Sequence, residues 1–132
     1  MIAGRLPAPP IAQTLGFWLV EVGDGECAFE GDTGPHLLNP LGGVHGGYFC
    51  TLLDSALGCA IHSTLPKGVG YTTLELKVNL IRSLNDEVGP VRAEGKTIHV
   101  GSRIGIAEAF ITDVDGKRYA HATTTCLIFP LP

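Results

Sequence analysis

A short stretch in the first half of the chain combines residue types that could act on a carbonyl group. His45, Gly46 and Gly47 directly precede an apolar run, and Asp54 is the single carboxylate inside that run. The first backbone N–H groups of a helix lack intrahelical partners and favour negative charge, so the Gly46 end could stabilise an oxyanion. Because an unpaired carboxylate in an apolar helix is costly, the pattern predicts either a hidden partner for Asp54 or a chemical role for it.

The spacing of these groups limits how they could cooperate. Asp54 follows Gly46 by eight residues, which is about 12 Å along a helix. A base or nucleophile must lie within about 3.5 Å of the reacting carbon or its water, so one chain cannot bring both groups to one carbonyl. We therefore expect a symmetric dimer in which two helices run antiparallel and each Gly46 end meets the Asp54 of the other chain.

The elements that must position this stretch follow from the pattern of proline, glycine and apolar residues. Residues 46–63 contain no proline and end before TLPKG, which predicts one helix of about 27 Å. Ahead of it, the apolar runs FWLVEV and ECAFEG flank GDG and predict two strands joined by a tight turn. The first 16 residues are predicted to form an N-terminal arm with a short helix near Ile11.

The second half of the chain alternates with a period of two, as strands with one buried face do. In TTLELKVNLIR, Thr73 and Glu75 are predicted to share one strand face, opposite to Leu74. Three further runs predict strands, and the last two of them flank an Asp-Gly hairpin signal. The sequence thus predicts an antiparallel sheet of about six strands that packs on one apolar helix. This arrangement is a single two-layer α+β domain over residues 1–132.

The composition of the chain argues against several classes of function. With 132 residues, 45% hydrophobic and 17% charged, the chain fits one globular domain whose low charge indicates surface covered by further copies. The net charge of −4 argues against binding to nucleic acid or to an anionic membrane, because both need a basic field. No signal-peptide pattern and no run of about 20 apolar residues is present, so we expect a cytoplasmic protein.

The cysteines and histidines give no sign of a metal site. The cysteines form no CxxC pair and are predicted to be free, mostly buried thiols: Cys27, Cys50, Cys59 and Cys126. The remaining histidines lack a spacing such as HExxH and are expected on the surface or at an interface: His36, His62, His99 and His121. LNPLGG lacks the lysine of a nucleotide P-loop, and no G-x-S-x-G nucleophile elbow occurs, so neither ATP binding nor a serine hydrolase is indicated.

Several spaced features together resemble one enzyme family. Asn39 is followed by His45-Gly46-Gly47, then by Asp54, then by a threonine on the next predicted strand. Over roughly residues 36–129 the chain is similar to the hotdog-fold acyl-CoA thioesterases of the phenylacetate-degradation (PaaI-like) type. The resemblance implies one long helix wrapped by an antiparallel sheet, and active sites shared between two subunits. It also implies hydrolysis of an acyl-CoA thioester without a metal or other cofactor.

Roles for the motif residues follow from this resemblance and from their chemistry. Asp54 would attack the thioester or deprotonate the attacking water, while the Gly46 N–H polarises the carbonyl. His45 would orient the carbonyl or stabilise the loop, although a helix N-cap role fits it nearly as well. Asn39 would hold the water or the thioester, unless Asn-Pro is simply a turn signal.

Residues outside the catalytic motif are expected to complete the site. Thr73 matches a Ser or Thr that positions water in these enzymes, with Thr72 as the alternative if the register differs by one residue. Contact with substrate is assigned to four residues, of which the last could bind a phosphate of coenzyme A: Gly47, Gly101, Ser102 and Arg103. The helix is expected to contribute pocket walls that do not distinguish aromatic from medium-chain acyl groups: Tyr48, Leu52 and Leu57.

Two other classes of function stay open on the sequence. A hotdog hydratase or dehydratase would bind the same thioesters but use a histidine base, whereas a non-catalytic acyl-CoA-binding module would need no carboxylate. The presence of Asp54, with no second catalytic histidine near it on the helix, favours hydrolysis. The low charge and the family resemblance favour pairing of dimers into a homotetramer.

Overall fold

The structure, a computed structural model, describes residues 8–132. Its elements follow in chain order: α1 (Pro10–Leu15), β1 (Phe17–Gly23), β2 (Glu26–Gly31), a 3-10 turn (Pro35–Leu37), α2 (Gly46–His62), β3 (Val69–Leu80), β4 (Val91–Val100), β5 (Ile104–Thr112) and β6 (Arg118–Pro130). The predicted α+β architecture, with one long helix and six strands, is confirmed. The predicted N-terminal arm lies partly outside the described residues, and its described part contains α1.

All six strands form one antiparallel sheet in the order β1-β2-β4-β5-β6-β3. The predicted Asp-Gly turn does join β5 to β6 as a hairpin. In contrast, β3 does not pair with β4, which follows it in the chain, but crosses to the far edge of the sheet and pairs with β6. This crossover places the strand that carries Thr73 at an edge.

Helix α2 packs its apolar face against one side of the sheet. It begins at Gly46 and ends at His62, one residue before the predicted end, and Ser63 is its C-cap. Leu53, Leu57 and Ile61, spaced four residues apart, are fully buried, as expected for one stripe of an amphipathic helix. Small inward-facing residues of the sheet let the helix approach closely: Ala93, Ala107, Ala109 and Ala122.

A bulge in β3 corrects one prediction about strand faces. Thr73 pairs with Cys126 and Glu75 pairs with Thr125, so Leu74 is an extra residue between two successive pairs. Thr73 therefore faces the helix, as its buried partner Cys126 does, whereas Glu75 faces outward. The prediction that Thr73 and Glu75 share a face was wrong, because an inserted residue reverses a period-two pattern from that point onward.

Strand β3 is unpaired on its outer edge in the single chain and carries exposed apolar side chains among its polar ones. The strand has 12 residues, and the side chains of Leu74, Leu80 and Ile81 along and just after it are each more than half exposed. A long edge strand presents a row of backbone N–H and C=O groups to any matching strand. This edge is therefore a surface onto which another chain could pair.

Two further expectations concern the cysteines and the helices. All four cysteines are free; Cys27 and Cys126 are buried, and Cys50 and Cys59 are half-buried. Among residues 8–132, neither α-helix is long and apolar enough to cross a membrane.

Candidate active site

The N-terminus of α2 keeps one backbone donor free. The Nδ1 atom of His45 accepts from the Gly47 N–H at 2.7 Å, and the carbonyl of His45 accepts from the Tyr48 N–H at 3.0 Å. Gly46, the first residue of the helix, donates its N–H to no acceptor within residues 8–132. That N–H, at the positive end of a 17-residue helix, can donate to a developing oxyanion.

The capping bond determines which ring nitrogen of neutral His45 carries the proton. Because Nδ1 accepts a hydrogen bond, the proton of the neutral ring lies on Nε2, and Nδ1 cannot act as a base without losing the cap. The side chain is exposed, so its Nε2–H can point to a ligand at the helix end. The structure thus shows the N-cap role that the sequence left open for His45.

Asn39 organises the loop that leads into the helix. Its Oδ1 atom accepts from the Leu41 N–H at 2.9 Å and from the Gly43 N–H at 3.1 Å. The Asn39 N–H also donates to the Gly43 carbonyl at 2.7 Å. This is the turn role of an Asn-Pro pair, and among the described residues it leaves the Nδ2 group of Asn39 as the free donor of that side chain.

The carboxylate of Asp54 has a partner, and the partner is neutral. Thr73 donates its hydroxyl to Oδ1 of Asp54 at 2.9 Å, so strand β3 and helix α2 meet at this bond. No lysine, arginine or histidine within residues 8–132 forms a salt bridge with Asp54. The carboxylate is half-buried and keeps Oδ2 without a hydrogen-bond donor from the described part of the chain. An oriented carboxylate with one free oxygen is suited to act as a base or nucleophile.

Thr73 is itself held in place by a buried thiol. The Cys126 sulfur lies 3.9 Å from the Thr73 hydroxyl oxygen, and Cys126 is fully buried. Burial raises the pKa of the Cys126 thiol, so the sulfur stays protonated and can donate to Thr73 while Thr73 donates to Asp54. Thr72 is exposed and points away from this chain of contacts, which favours Thr73 over the alternative register.

Tyr71 is a neighbour of Asp54 that the sequence reasoning missed. Its ring packs over Gly58, one turn beyond Asp54 on α2, where an added Cβ would come within 2.7 Å of the ring. Burial, together with nearby Cys59 and Asp54, raises the pKa of Tyr71 to about 12. The signal was present, because Tyr71 precedes Thr73 by two residues and so shares its strand face.

The segment assigned to coenzyme A lies at the other end of the helix. Gly101, Ser102 and Arg103 form the turn between β4 and β5, closed by the Gly101 N–H, which donates to the Ile104 carbonyl at 2.8 Å. Gly105, just beyond this turn, packs on Ile61 near the end of α2. Ile61 follows Gly46 by 15 residues, or about 22 Å along the helix. A single chain therefore does not bring Arg103 and the Gly46 N–H together.

The predicted pocket walls divide between the core and a surface cavity. Leu52 and Leu57 are completely buried in the core between helix and sheet, so assigning them to a ligand pocket was wrong. Tyr48 does line a cavity, which lies beside the N-terminus of α2. Among residues 8–132, no three His, Cys, Asp or Glu side chains converge as a metal-binding group would.

A six-stranded antiparallel sheet packed on one long central helix is the hotdog fold. A sequence model of the thioesterase superfamily matches residues 41–120, which include α2 with Asp54 and strand β3 with Thr73. Since the match covers more than half of the chain, the protein belongs to the thioesterase superfamily, and the predicted hotdog thioesterase relationship is confirmed. The protein is a thioester hydrolase.

Individual relatives agree with this assignment. A candidate esterase from Halobacterium salinarum is 35% identical over 107 residues, which cover 76% of this chain and 69% of that protein. A candidate thioesterase from Ralstonia eutropha, described as related to phenylacetic acid degradation, superposes with a TM-score of 0.86 at 29% identity and covers 96% of each chain. A conserved protein from Pseudomonas aeruginosa superposes with a TM-score of 0.86 at 30% identity over 92% of this chain and 95% of the other.

Proposed function

We propose that the protein hydrolyses acyl-CoA thioesters in active sites shared by two subunits, as a member of the phenylacetate-degradation (PaaI-like) type. The observation that carries this proposal is the Asp54 carboxylate, which is oriented by the neutral Thr73 hydroxyl and has no cationic partner among the described residues. A carboxylate held only for structure would be expected to have its charge compensated. The thioester carbonyl on which Asp54 acts, directly or through water, accepts a hydrogen bond from the Gly46 N–H of the other subunit.

The need for two subunits follows from distance and from the free sheet edge. Asp54 follows Gly46 by eight residues, so about 12 Å of helix separates the donor from the base in one chain. An antiparallel partner helix brings each donor to the opposite base and creates two equivalent sites. The exposed edge of β3, with Leu74 and Leu80 along it, supports pairing of two copies through this strand.

Each site then draws on two chains in a defined way. One subunit supplies the Gly46 N–H, together with Asn39, His45 and Gly47 around it. The other supplies Asp54 and Thr73, and its β4–β5 turn binds coenzyme A through Gly101, Ser102 and Arg103. This division agrees with the geometry of one chain, in which the residues around Gly46 lie at the N-terminus of α2, whereas Asp54 and the β4–β5 turn lie further along the helix.

The reaction needs one activated oxygen and one stabilised oxyanion. Asp54 takes a proton from water and the hydroxide attacks the thioester carbon, or Asp54 attacks that carbon itself and water then cleaves the resulting anhydride. In both routes the carbonyl oxygen becomes negative and accepts from the Gly46 N–H and from Nε2–H of His45. The carbon–sulfur bond breaks, and the departing sulfur takes the proton held by Asp54 in the first route, or a proton from water in the second. The products are the free acid and the thiol of coenzyme A.

The rival functions fit the structure less well. A hydratase of the histidine-base type would need a free imidazole nitrogen, whereas Nδ1 of His45 is bound to the Gly47 N–H. A binding module would gain nothing from a half-buried carboxylate. We also propose that the chain is one hotdog domain, that its dimers pair into tetramers, that it needs no cofactor and that it acts in the cytoplasm.

The proposal is tested by incubating the purified protein with a panel of acyl-CoAs of differing chain length and aromaticity. Release of the coenzyme A thiol, followed with a thiol reagent, is the expected result for at least one member of the panel. Absence of thiol release from every aromatic, short, medium and long acyl-CoA would refute acyl-CoA hydrolysis.

The Thr73 hydroxyl is expected to contribute through its bond to Asp54. Thr73→Val removes the donor while keeping the shape of the side chain, and we expect kcat to fall about tenfold or more, because a hydrogen bond to a charged group is worth about 1.5–3 kcal/mol. Thr73→Ser keeps the hydroxyl and is the matched control, with kcat within about threefold of the original protein. Equal losses in both variants would show that packing, rather than the hydrogen bond, determines the effect.

A further inference from the structure

Two cysteines that the proposed reaction does not use lie where strand β2 meets the second half of α2. Cys27 is 4% exposed and is directly opposite Gly95 on β4. Residues directly opposite each other on paired strands point to the same face of the sheet. Gly95 packs on the backbone of α2, where an added Cβ would collide with the Ala56 carbonyl oxygen. Cys27 therefore points toward the helix.

The helix presents Cys59 to this part of β2. Ala56, Cys59 and Ser63 are spaced three and four residues apart, so they lie along one face of α2 and its C-cap. At one end of this face, Ala56 contacts the residue opposite Cys27. At the other end, the Ser63 hydroxyl oxygen accepts from the Gly25 N–H at 2.9 Å, and Gly25 precedes Cys27 by two residues. Cys59 lies between these two contacts and faces Cys27.

The two thiols affect each other's ionisation. The contact with Cys27 lowers the pKa of the Cys59 thiol, whereas the contact with Cys59, together with burial, raises the pKa of the Cys27 thiol. The thiolate is the form of cysteine that reacts with oxidants. Cys59 is half-buried and Cys27 is buried, so a small oxidant reaches Cys59 more easily. The pair thus contains one thiol suited to react first and a second thiol placed to react with the product.

We propose that Cys27 and Cys59 form a reversible redox site, which closes into a disulfide when the protein meets a hydroperoxide. The Cys59 sulfur attacks one oxygen of hydrogen peroxide and the oxygen–oxygen bond breaks. The released hydroxide takes the Cys59 proton, which gives a sulfenic acid and water. The Cys27 sulfur then attacks the Cys59 sulfur, and the sulfenic hydroxyl leaves with the Cys27 proton as a second water. Both thiols are oxidised, the peroxide is reduced, and a dithiol reverses the disulfide by exchange.

The disulfide would join α2 to the sheet across the segment that carries the proposed active site. Residues 27–59 include Asn39, Gly46 and Asp54, and none of these three is consumed by the oxidation. Closing a loop of this length restricts the unfolded chain, so Tm should rise by about 10 °C in the oxidised protein. In a reducing compartment the pair stays as two thiols, which is the state that the structure shows.

The test treats the purified protein and three variants with hydrogen peroxide. The unmodified protein should lose two hydrogen atoms from its intact mass and yield a peptide that links Cys27 to Cys59, and dithiothreitol should remove this link. Cys59→Ala should form no link, and Cys27→Ala should keep Cys59 as a sulfenic acid that dimedone traps. Cys50→Ala is the matched control, because Cys50 is also half-buried on α2, and it should form the link as the unmodified protein does.

Three results would overturn the inference. The first is a peroxide-treated protein that keeps all of its thiols. The second is a link that joins other cysteines or two chains, or that persists in Cys59→Ala. The third is an oxidised protein that melts no higher than the reduced one, because the folded structure would then not accommodate the bond. None of these readouts requires turnover of a thioester, so they leave the proposed function to its own test.

Discussion

Asp54→Asn is expected to lower kcat for acyl-CoA hydrolysis by about a thousandfold, which is within the range for removal of a general base or nucleophile. Asparagine has nearly the shape of aspartate and can still accept from the Thr73 hydroxyl through its amide oxygen. It cannot attack the thioester or take a proton from water. Binding of acyl-CoA should therefore persist while turnover is lost, as measured by thiol release and by calorimetric titration of the variant.

A stability measurement and a control variant make this result interpretable. The free energy of unfolding in urea should not decrease in Asp54→Asn, because the substitution removes a half-buried charge that has no cationic partner. Asp115→Asn is the matched control, since Asp115 is exposed in the β5–β6 turn, and its kcat should be unchanged. If Asp54→Asn turns over acyl-CoA as fast as the original protein, Asp54 is a structural residue.

Gly46→Pro is expected to lower kcat by about a hundredfold or more, the usual cost of losing one oxyanion donor. Proline lacks the backbone N–H, and Gly46 uses that N–H for no bond within the described residues. Proline is favoured at the first position of a helix. The preceding residue, His45, already has the extended conformation that proline requires, with φ −61° and ψ 136°. The helix should therefore form normally, as measured by circular dichroism and urea unfolding.

Gly46→Ala provides the comparison for this variant. Alanine keeps the N–H, and its Cβ would lie 3.0 Å from a methyl group at the flexible tip of Leu80, which can move. We expect Gly46→Ala to keep kcat within about fivefold of the original protein. If Gly46→Ala loses as much activity as Gly46→Pro, the glycine is needed for space and the N–H does not polarise the carbonyl.

The sequence predicted those parts of the fold that depend on local patterns. The start of α2 at Gly46 was predicted from a proline-free stretch that opens with Gly46 and Gly47 and continues with apolar residues. The β5–β6 hairpin was predicted from its Asp-Gly pair. The pairing of β3 with β6 could not be predicted in this way, because a crossover depends on contacts between residues distant in the chain. The extra residue Leu74 was missed because a period-two pattern contains no sign of an inserted residue.

The candidate site was predicted in the same uneven way. The distance between Gly46 and Asp54 could be predicted because both lie on one helix of known rise. The threonine that contacts Asp54 is Thr73, the residue that was predicted to belong to the site. Tyr71 was missed although it shares the strand face of Thr73. Cys126 was missed because its contact with Thr73 arises only when β3 and β6 pair. Leu52 was misplaced because helical periodicity alone does not distinguish the core face from a pocket wall.

We propose that each active site takes its base from one subunit and its oxyanion donor from the other. Asp54→Asn and Gly46→Pro chains with different affinity tags can be refolded together, and the mixed dimer isolated through both tags. One of its two sites then contains both an intact Asp54 and an intact Gly46, so the mixed dimer should regain about half of the original kcat per dimer. A mixed dimer no more active than either parent would contradict the claim, because it would mean that both groups must come from the same chain.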